Sequence, residues 1–316
     1  MKTTKRLFIF LMLFLCLFLF ASCDSKNEEK EEEQNSGITK TQEKYMIKEE
    51  MNSFYFFWET QNTNELLKGC GLIPDRYPSN GLASIASVGF GLASFVVGVK
   101  NGWITKDEGY ERCLLTLSHI PSLEKFHGFY YHFYSEKLGT VSSGSEISTI
   151  DTALFISGAL VAGEYFKGEV EQKALEIYDE IEWDYFVNPS KNFYMAYNTT
   201  TNKFEGTWNY YAEQLVMYFL GAGSTTHPIG KDVYDNFTKF RSSYKGDQFI
   251  TSWFGSIFTY QFSHAFVDFR NILDPNGIDW FQNSVDATIA NYNYCIDKSS
   301  TFMTYGPKAW GLTACD

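Results

Sequence analysis

Two carboxylates, Glu146 and Asp151, lie in a stretch whose residue types and spacing could support acid–base chemistry. Glu146 is in a loop rich in Ser and Gly, and Asp151 lies one turn into a predicted helix of small and apolar residues. Such a helix is too apolar for a surface, so we expect it to be buried with polar groups at its N-terminal end. A structural interpretation fits equally, because Ser148 and Asp151 match a capping-box variant and Asp151 complements the helix dipole.

A third acid, Glu213, lies within a predicted apolar helix over Asn209–Leu220. Burial disfavours the charged form of a carboxyl group and raises its pKa, which is the shift that a general acid needs at neutral pH. The alternative is a structural acid paired with an Arg or Tyr side chain. The sequence therefore makes Glu213 a candidate proton donor and leaves the structural role open.

The elements that must position these acids are predicted to be pairs of helices, each with a buried helix followed by an amphipathic one. Three pairs are predicted at Ser84–Gly98 with Thr105–His119, Ser148–Phe166 with Glu169–Ile181, and Asn209–Leu220 with Lys231–Phe240. A fourth is predicted from Phe254–Phe269 and Gly277–Cys295, and a first single helix from Tyr45–Gln61. The aromatic stretch Phe126–Tyr134 is strand-like, and Phe193–Phe204 is a predicted hairpin.

The buried helices begin near residues 84, 148 and 209, which gives a repeat of about sixty residues. Alternation of a buried and a solvent-facing helix is expected for concentric helix layers, so the sequence predicts an all-α fold of the α/α toroid type. An open helical solenoid is the alternative. The long aromatic segments between pairs favour the toroid, with the ends of the inner helices meeting at one cleft.

In this architecture, polar and aromatic side chains from several segments would meet at the cleft, where aromatic rings can stack on sugars. His264 and Asp268 are four apart on a predicted helical face and could touch, and Arg270 could orient a carboxylate or bind hydroxyl groups. The candidates for substrate binding are His132, Trp208, Tyr211, His227, His264, Asp268 and Arg270.

Composition and motifs exclude several other classes of function. The net charge of −12 and the lack of clustered basic residues argue against a nucleic-acid partner. No HExxH or other metal-ligand spacing, phosphate-binding Gly-rich loop or GxSxG motif is present, so we expect neither a metal nor a cofactor. Cys70, Cys113, Cys295 and Cys315 are far apart in sequence, which predicts buried free thiols.

The N-terminus predicts export and anchoring. A basic start, the apolar run Leu7–Phe20 and small residues before Cys23 are similar to the signal peptide and lipobox of bacterial lipoproteins. We expect residues 1–22 to be removed, Cys23 to be lipidated, residues 23–44 to form a disordered acidic tether, and residues 45–316 to fold. A plain signal peptide or an uncleaved anchor is the alternative. The predicted location is the cell envelope, with membrane contact through the lipid only.

Six ordered motifs resemble those of one known family: GFYYHFY, SEISTIDTALFISGALVAGEYF, WNYYAEQLVMYFLGAGSTTHPI, QFSHAFVDFR, NSVDATIANYNYCI and WGLTACD. The family is the bacterial "putative glucoamylase" domain, which includes endo-β-1,2-glucanases and is related to domains of cyclic β-1,2-glucan synthases. The resemblance spans about residues 50–316. It implies an (α/α)6 barrel that hydrolyses β-1,2-glucans (sophorooligosaccharides) with inversion, without a cofactor and without an obligate protein partner.

The resemblance also implies roles for the acids. Glu213 matches the family acid of a Tyr-x-Glu segment and is the predicted general acid, while Glu146 and Asp151 match acids that contact substrate or position water. Two departures stand out: Thr225 replaces a Pro of the family motif, and the chain ends where the family continues, after about four of six helix pairs. A missing segment could hold the general base.

Three alternatives to a β-1,2-glucanase stay open from the sequence. The chain could be a glycan-binding surface lipoprotein with the same cleft and no catalysis, or a glucoamylase-like hydrolase of another glucan linkage. It could also be a structural toroid without a ligand, for which a cleft poor in aromatic side chains would be expected.

Overall fold

The computed structural model describes residues 38–253 and 255–314. The predictions for the signal peptide, Cys23 and most of the tether therefore lie outside the described residues, as does the prediction for Cys315. Among the residues that the structure describes, no helix has both the length and the apolar character needed to cross a bilayer. The described residues from Ile47 onward form one compact unit.

Eight α-helices are present in the described residues. They are α1 Lys40–Thr60, α2 Ile85–Lys100, α3 Lys106–His119, α4 Thr149–Phe166, α5 Glu169–Asp179, α6 Leu215–Gly223, α7 Lys231–Asn236 and α8 Trp280–Asp297. The helix α1 begins at Lys40, so it includes the last residues of the segment predicted as a tether.

Short antiparallel strands lie between the helices and build small separate sheets. The strands are β1 Leu82–Ser84, β2 Lys125–Phe126, β3 Phe129–Tyr130, β4 Phe133–Ser135, β5 Ile147–Ser148, β6 Tyr194–Asn198, β7 Lys203–Thr207, β8 Arg241–Ser242 and β9 Phe249–Ile250. Strand β1 pairs with β4, β2 pairs with β3, and β8 pairs with β9. The strands β5, β6 and β7 form one three-stranded sheet with β6 in the middle. The structure is thus helix-rich with few small sheets, as expected for the predicted all-α class.

The first two helix pairs match the predicted alternation. The helix α4, Thr149–Phe166, is buried over most of its length, whereas α5 buries the predicted stripe of Val170, Ala174 and Ile177. In the other pair, α2 is buried over much of its length, and α3 begins with a full capping box from Thr105. The predicted buried free thiols are confirmed for the three described cysteines, Cys70, Cys113 and Cys295.

The helices α2 and α4 cross at contact distance of their backbones, and two glycines make this possible. A Cβ atom on Gly158 would lie 1.8 Å from the carbonyl oxygen of Gly89, and one on Gly89 would lie 2.2 Å from that of Leu154. Any larger side chain would force the helices apart. The crossing therefore fixes the relative position of the N-terminal ends of α2 and α4.

The C-terminal part is less regular than predicted. The segment Phe254–Phe269 is not an α-helix: its described residues form two 3-10 turns, Ile257–Tyr260 and Phe262–Ala265. The backbone N–H of Ile257, at the start of the first turn, bonds to the distant carbonyl of Leu312. The helix α7 ends at Asn236 and not at Phe240.

Candidate active site

The candidate site is built where the N-terminal ends of α2 and α4 lie side by side. Ser84 caps α2 by accepting a hydrogen bond from the N–H of Ala86 at 3.2 Å, and Ser148 caps α4 by accepting one from Asp151 at 3.3 Å. The structural interpretation of Ser148 is therefore correct. It does not compete with a role in chemistry, because Ser148 also donates to the Asp151 carboxylate, at 2.5 Å.

The backbone of His132 joins these two helix ends. Its carbonyl accepts a hydrogen bond from Ile85 at 3.1 Å, and its N–H donates to the carbonyl of Glu146 at 2.9 Å. A bridge between Tyr131 and Ile147 extends this pairing toward β5. The imidazole is therefore held above both helix ends by main-chain hydrogen bonds on either side.

The ring of His132 brings Glu146 and Asp151 together. Nδ1 lies 3.1 Å from Glu146 Oε1, and Nε2 lies 3.7 Å from Asp151 Oδ1. The other constraint on the ring is Phe133, which stacks on it with centroids 3.7 Å apart. Together with Asp75, these three residues form what we call the acid cluster: His132, Glu146, Asp151 and Asp75.

Asp75 is a member of the acid cluster that the sequence analysis missed. It lies in the irregular loop after α1 and pairs with Arg76 at 2.6 Å. A bridge between Pro74 and Ala83 places this loop beside the start of α2. The charge of Asp75 acts on both His132 and Asp151. Its acid type was visible in the sequence, but the bridge that positions it was not.

The members of the cluster shift one another's proton affinity. Burial raises the pKa of Asp151, although His132 and the Ser148 hydroxyl oppose the shift. The hydrogen bond from His132 lowers the pKa of Glu146. Burial by itself would lower the pKa of His132, but the surrounding carboxylates outweigh it and raise that pKa above its usual value. The cluster therefore favours an imidazolium between carboxylates.

Glu213 lies before α6 and not inside a helix, so the predicted helix over Asn209–Leu220 is wrong at its start. The side chain of Gln214 explains the delay, because it bonds the N–H of Ala212 and the carbonyl of Tyr210, both at 2.6 Å, and holds the chain in a tight turn. Ser263 donates to the carbonyl of Glu213 at 2.7 Å. The acid is thus presented at the N-terminal end of α6 by a rigid turn.

The carboxyl of Glu213 has the property predicted for a general acid. Burial raises its pKa to about 7, and the charge of Asp151 adds to the shift, while a hydrogen bond from its own backbone opposes it. Within the described residues, Oε2 is buried and has no hydrogen-bond partner. An unpartnered oxygen argues against the structural alternative, since a paired acid would be satisfied there.

Two of the predicted substrate-binding residues lie in the core beneath the site. Trp208 is 5% exposed and donates from Nε1 to Thr149 Oγ1 at 3.1 Å. Tyr211 is 1% exposed and stacks on Trp280 with centroids 4.7 Å apart. In this structure both rings support the first turn of α4 or the turn before α6, and neither offers an open face to a sugar.

The structure does not bring His227 together with Glu213. His227 follows the C-terminal end of α6, whereas Glu213 precedes the N-terminal end, so the nine-residue helix separates them by about 13 Å. There His227 lies 3.0 Å from the Asp184 carboxylate on the surface. Its contact with substrate stays a prediction that this geometry does not support.

The predicted helical pair of His264 and Asp268 is not formed. Because no α-helix runs through this segment, His264 lies 2.9 Å from Ser284 Oγ, while Asp268 points to solvent and makes a two-point ion pair with Arg270. The side chains of Asp268 and Arg270 are 60% and 65% exposed. The expected contact between His264 and Asp268 is therefore corrected, and the carboxylate that Arg270 orients is that of Asp268.

A pair of exposed aromatic rings, one of them three residues before Glu213, was also missed. Tyr210 is 39% exposed and Trp253 is 69% exposed, and their rings meet edge to face with centroids 5.3 Å apart. The turn fixed by Gln214 includes the backbone of Tyr210. The aromatic residues of the run Trp208–Glu213 are visible in the sequence. Which of their rings are buried and which are exposed depends on the turn, which the sequence pattern does not show.

No three His, Cys, Asp or Glu side chains in residues 38–253 and 255–314 form a group able to hold a metal ion.

Comparison with known proteins shows the fold. A solved structure of a "putative glucoamylase" from Bacteroides uniformis matches with a TM-score of 0.77 and 24% identity over 87% of this chain and 71% of that one. An endo-β-1,2-glucanase from Chitinophaga pinensis, solved with sophorotriose and glucose, matches with a TM-score of 0.75 and 23% identity over 88% of this chain and 72% of that one.

Sequence comparison adds a curated relative and a family. An "Exo beta-1,2-glucooligosaccharide sophorohydrolase (non-reducing end)" from Parabacteroides distasonis is 23% identical over 87% of this chain, which spans only 43% of that relative's length. The family Glycoamylase, described as "Putative glucoamylase", matches residues 205–316. The resemblance seen in the sequence motifs is thus confirmed, and the segment that carries Glu213 is the one that matches this family.

Proposed function

We propose that the chain is a glycoside hydrolase that cleaves β-1,2-glucan (sophorooligosaccharides), with Glu213 as general acid. The observation that carries the proposal is the buried Glu213 carboxyl, whose pKa is raised to about 7. Such a group is about half protonated at neutral pH, and its protonated form can give the proton to the oxygen of a leaving sugar. The named activities of the Parabacteroides and Chitinophaga relatives support β-1,2-glucan as the substrate.

In this proposal the acid cluster supplies the second function that glycoside hydrolysis needs. Asp151 is the carboxyl whose charge Glu213 experiences, and Glu146 is tied to it through His132. A carboxylate on the far side of the sugar from the acid positions and activates water, which gives inversion of configuration. Proton NMR of the first product formed would show the α-anomer for inversion and the β-anomer for retention.

Tyr210 and Trp253 supply the apolar surface for the sugar. Their exposed rings can stack on the C–H faces of glucose units, an arrangement that aromatic side chains favour. This support also argues against the structural toroid, for which a cleft poor in aromatic side chains is expected.

The finer architecture belongs to the same proposal. We infer an α/α toroid in which α2, α4 and α6 form the inner layer and α3, α5 and α7 the outer layer. The burial of α2, α4 and α6 supports the inner assignment, and the amphipathic stripe of α5 supports the outer one.

Attachment to the cell envelope through a lipid on Cys23 is also proposed. A Cys23→Ala variant that is lost from the membrane fraction would support it.

The function is tested by incubating the chain with linear β-1,2-glucan, starch and a β-1,3-glucan and measuring new reducing ends. The proposal predicts release from β-1,2-glucan alone. Release from starch would instead favour a glucoamylase-like hydrolase of another linkage. Binding of β-1,2-glucan in calorimetry without any release would favour a glycan-binding protein and overturn the catalytic proposal.

A further inference from the structure

Both the backbone and the ring of His132 are fixed by contacts within the protein. Its N–H and carbonyl are both used by neighbouring strands and helix ends, its ring stacks on Phe133, and both ring nitrogens face carboxylates. The distances of 3.1 Å to Glu146 and 3.7 Å to Asp151 leave the ring between the two acids. The contact with Glu146 occupies Nδ1, while Nε2 faces the Asp151 carboxylate at ion-pair distance.

The charges around the ring explain why an imidazole is needed there. Glu146 faces it from the loop before β5, Asp151 from the first turn of α4, and Asp75 from the loop after α1. Asp75 is paired with Arg76, which leaves Glu146 and Asp151 as two carboxylates that share one imidazole. Two carboxylates held close together without a cation cannot both stay ionised easily.

We propose that His132 is a positioning residue, whose ring locks Glu146 and Asp151 in place as a charged pair beside Glu213. The proposal rests on the function proposed above and replaces the expectation that His132 binds substrate. His132 acts through Asp151: as an imidazolium it keeps Asp151 ionised, and the ionised Asp151 in turn keeps the proton on Glu213.

A pH dependence follows from this arrangement. Without the imidazolium, the pKa of Asp151, already raised by burial, rises further because Glu146 and Asp75 stay nearby. Asp151 then takes up a proton at a higher pH, so activity is lost earlier on acidification. The acid limb of kcat/KM, which reports the free enzyme, therefore shifts to higher pH.

The test compares His132→Asn with a matched control, His127→Asn. An Asn amide can still donate to Glu146 but carries no charge. His127 is a suitable control because it also faces a glutamate, Glu182, with side-chain exposures of 30% and 35%, against 30% and 34% for His132 and Glu146. We expect the acid limb to move up by about one pH unit in His132→Asn, with little change in KM, and to stay in place in His127→Asn.

A raised KM with an unmoved acid limb would overturn the proposal and assign His132 to substrate binding.

A second measurement does not depend on catalysis. We expect NMR titration of the His132 imidazole to give a lower pKa in Glu146→Gln than in the wild type, because a hydrogen-bonded carboxylate is lost. An unchanged titration would overturn the coupling. If the wild type cleaves no glucan, the proposed function fails, but this titration still decides whether the ring and the acids are coupled.

Discussion

Two imidazole–glutamate pairs lie five residues apart and are nearly alike. His127 Nδ1 lies 2.6 Å from Glu182, and His132 Nδ1 lies 3.1 Å from Glu146. Each ring also stacks on an aromatic neighbour, with centroids 3.6 Å apart for His127 on Tyr185 and 3.7 Å for His132 on Phe133. Their contacts and exposures therefore do not distinguish a candidate site from an ordinary surface pair.

The difference lies in what surrounds the second pair. His132 lies over the N-terminal ends of two buried helices, and the first turn of α4 adds Asp151, whose side chain is only 14% exposed. His127 occupies the turn between β2 and β3, where its ring meets the surface residues Glu182 and Tyr185. The comparison teaches that the chemistry comes from a further buried carboxyl supplied by a helix end, and not from the imidazole–glutamate contact itself.

The largest effect is expected from removing the proposed proton donor. Glu213→Gln should lower kcat on β-1,2-glucan by about 10²–10⁴-fold, the usual contribution of general acid catalysis. The matched variant Glu182→Gln breaks the surface pair and should leave kcat unchanged. Equal losses in steady-state assays of the two variants would remove the distinction between the regions.

The second effect concerns the scaffold beneath the acid cluster. Gly158→Ala places a methyl group at the backbone crossing of α2 and α4 and should lower the free energy of unfolding by about 1–3 kcal/mol. Gly246→Ala is the control, because the nearest atom to its Cβ is 3.9 Å away. Urea unfolding of both variants measures the difference, and a Gly158→Ala variant as stable as the control would show that the crossing does not constrain the site.

A third, smaller effect is expected on the pH dependence of activity when Asp151 loses its charge. The negative charge of Asp151 raises the pKa of Glu213, so Asp151→Asn should lower that pKa from about 7. A general acid works while protonated, so activity should fall at a lower pH, and we expect the basic limb of kcat/KM to move down by about one unit. Carbon-13 NMR of the Glu213 carboxyl gives the same shift when residual activity is low. A limb that stays in place or moves up would show that the two carboxyls are not coupled.

The smallest effect is expected from the exposed rings. Trp253→Ala removes half of the pair with Tyr210 and should raise KM for β-1,2-glucan about 3- to 10-fold, as the loss of a stacking contact predicts. Trp310→Ala is matched to it, since Trp310 meets Tyr292 with centroids also 5.3 Å apart. Equal KM values in the two variants would show that the Tyr210–Trp253 pair does not bind the sugar.

The helices that carry the first part of the site were predictable from the sequence. Hydrophobic periodicity distinguished α4 from α5, and a polar start to an apolar helix located Glu146 and Asp151. These features are determined by residues that are close in sequence, so a local sequence pattern is enough to predict them.

The remaining features depend on contacts between distant segments. Asp75 reaches the cluster through a bridge from Pro74 to Ala83, and Glu213 leaves the predicted helix because Gln214 bonds the preceding turn. His264 was misplaced because its backbone follows 3-10 turns and its ring meets Ser284 from α8. Nothing in the run that contains both His127 and His132 indicates which of the two would receive a second carboxylate.

The role of Glu213 is tested most directly by the leaving group of the substrate. A general acid is needed when the departing sugar must be protonated, and it is not needed when the leaving group is a dinitrophenolate. We predict that Glu213→Gln loses about 10²-fold or more of its kcat on β-1,2-glucan yet cleaves dinitrophenyl β-sophoroside at a rate close to the wild type. Equal losses on both substrates would contradict the account, because they would show that the Glu213 carboxyl does not act by donating a proton.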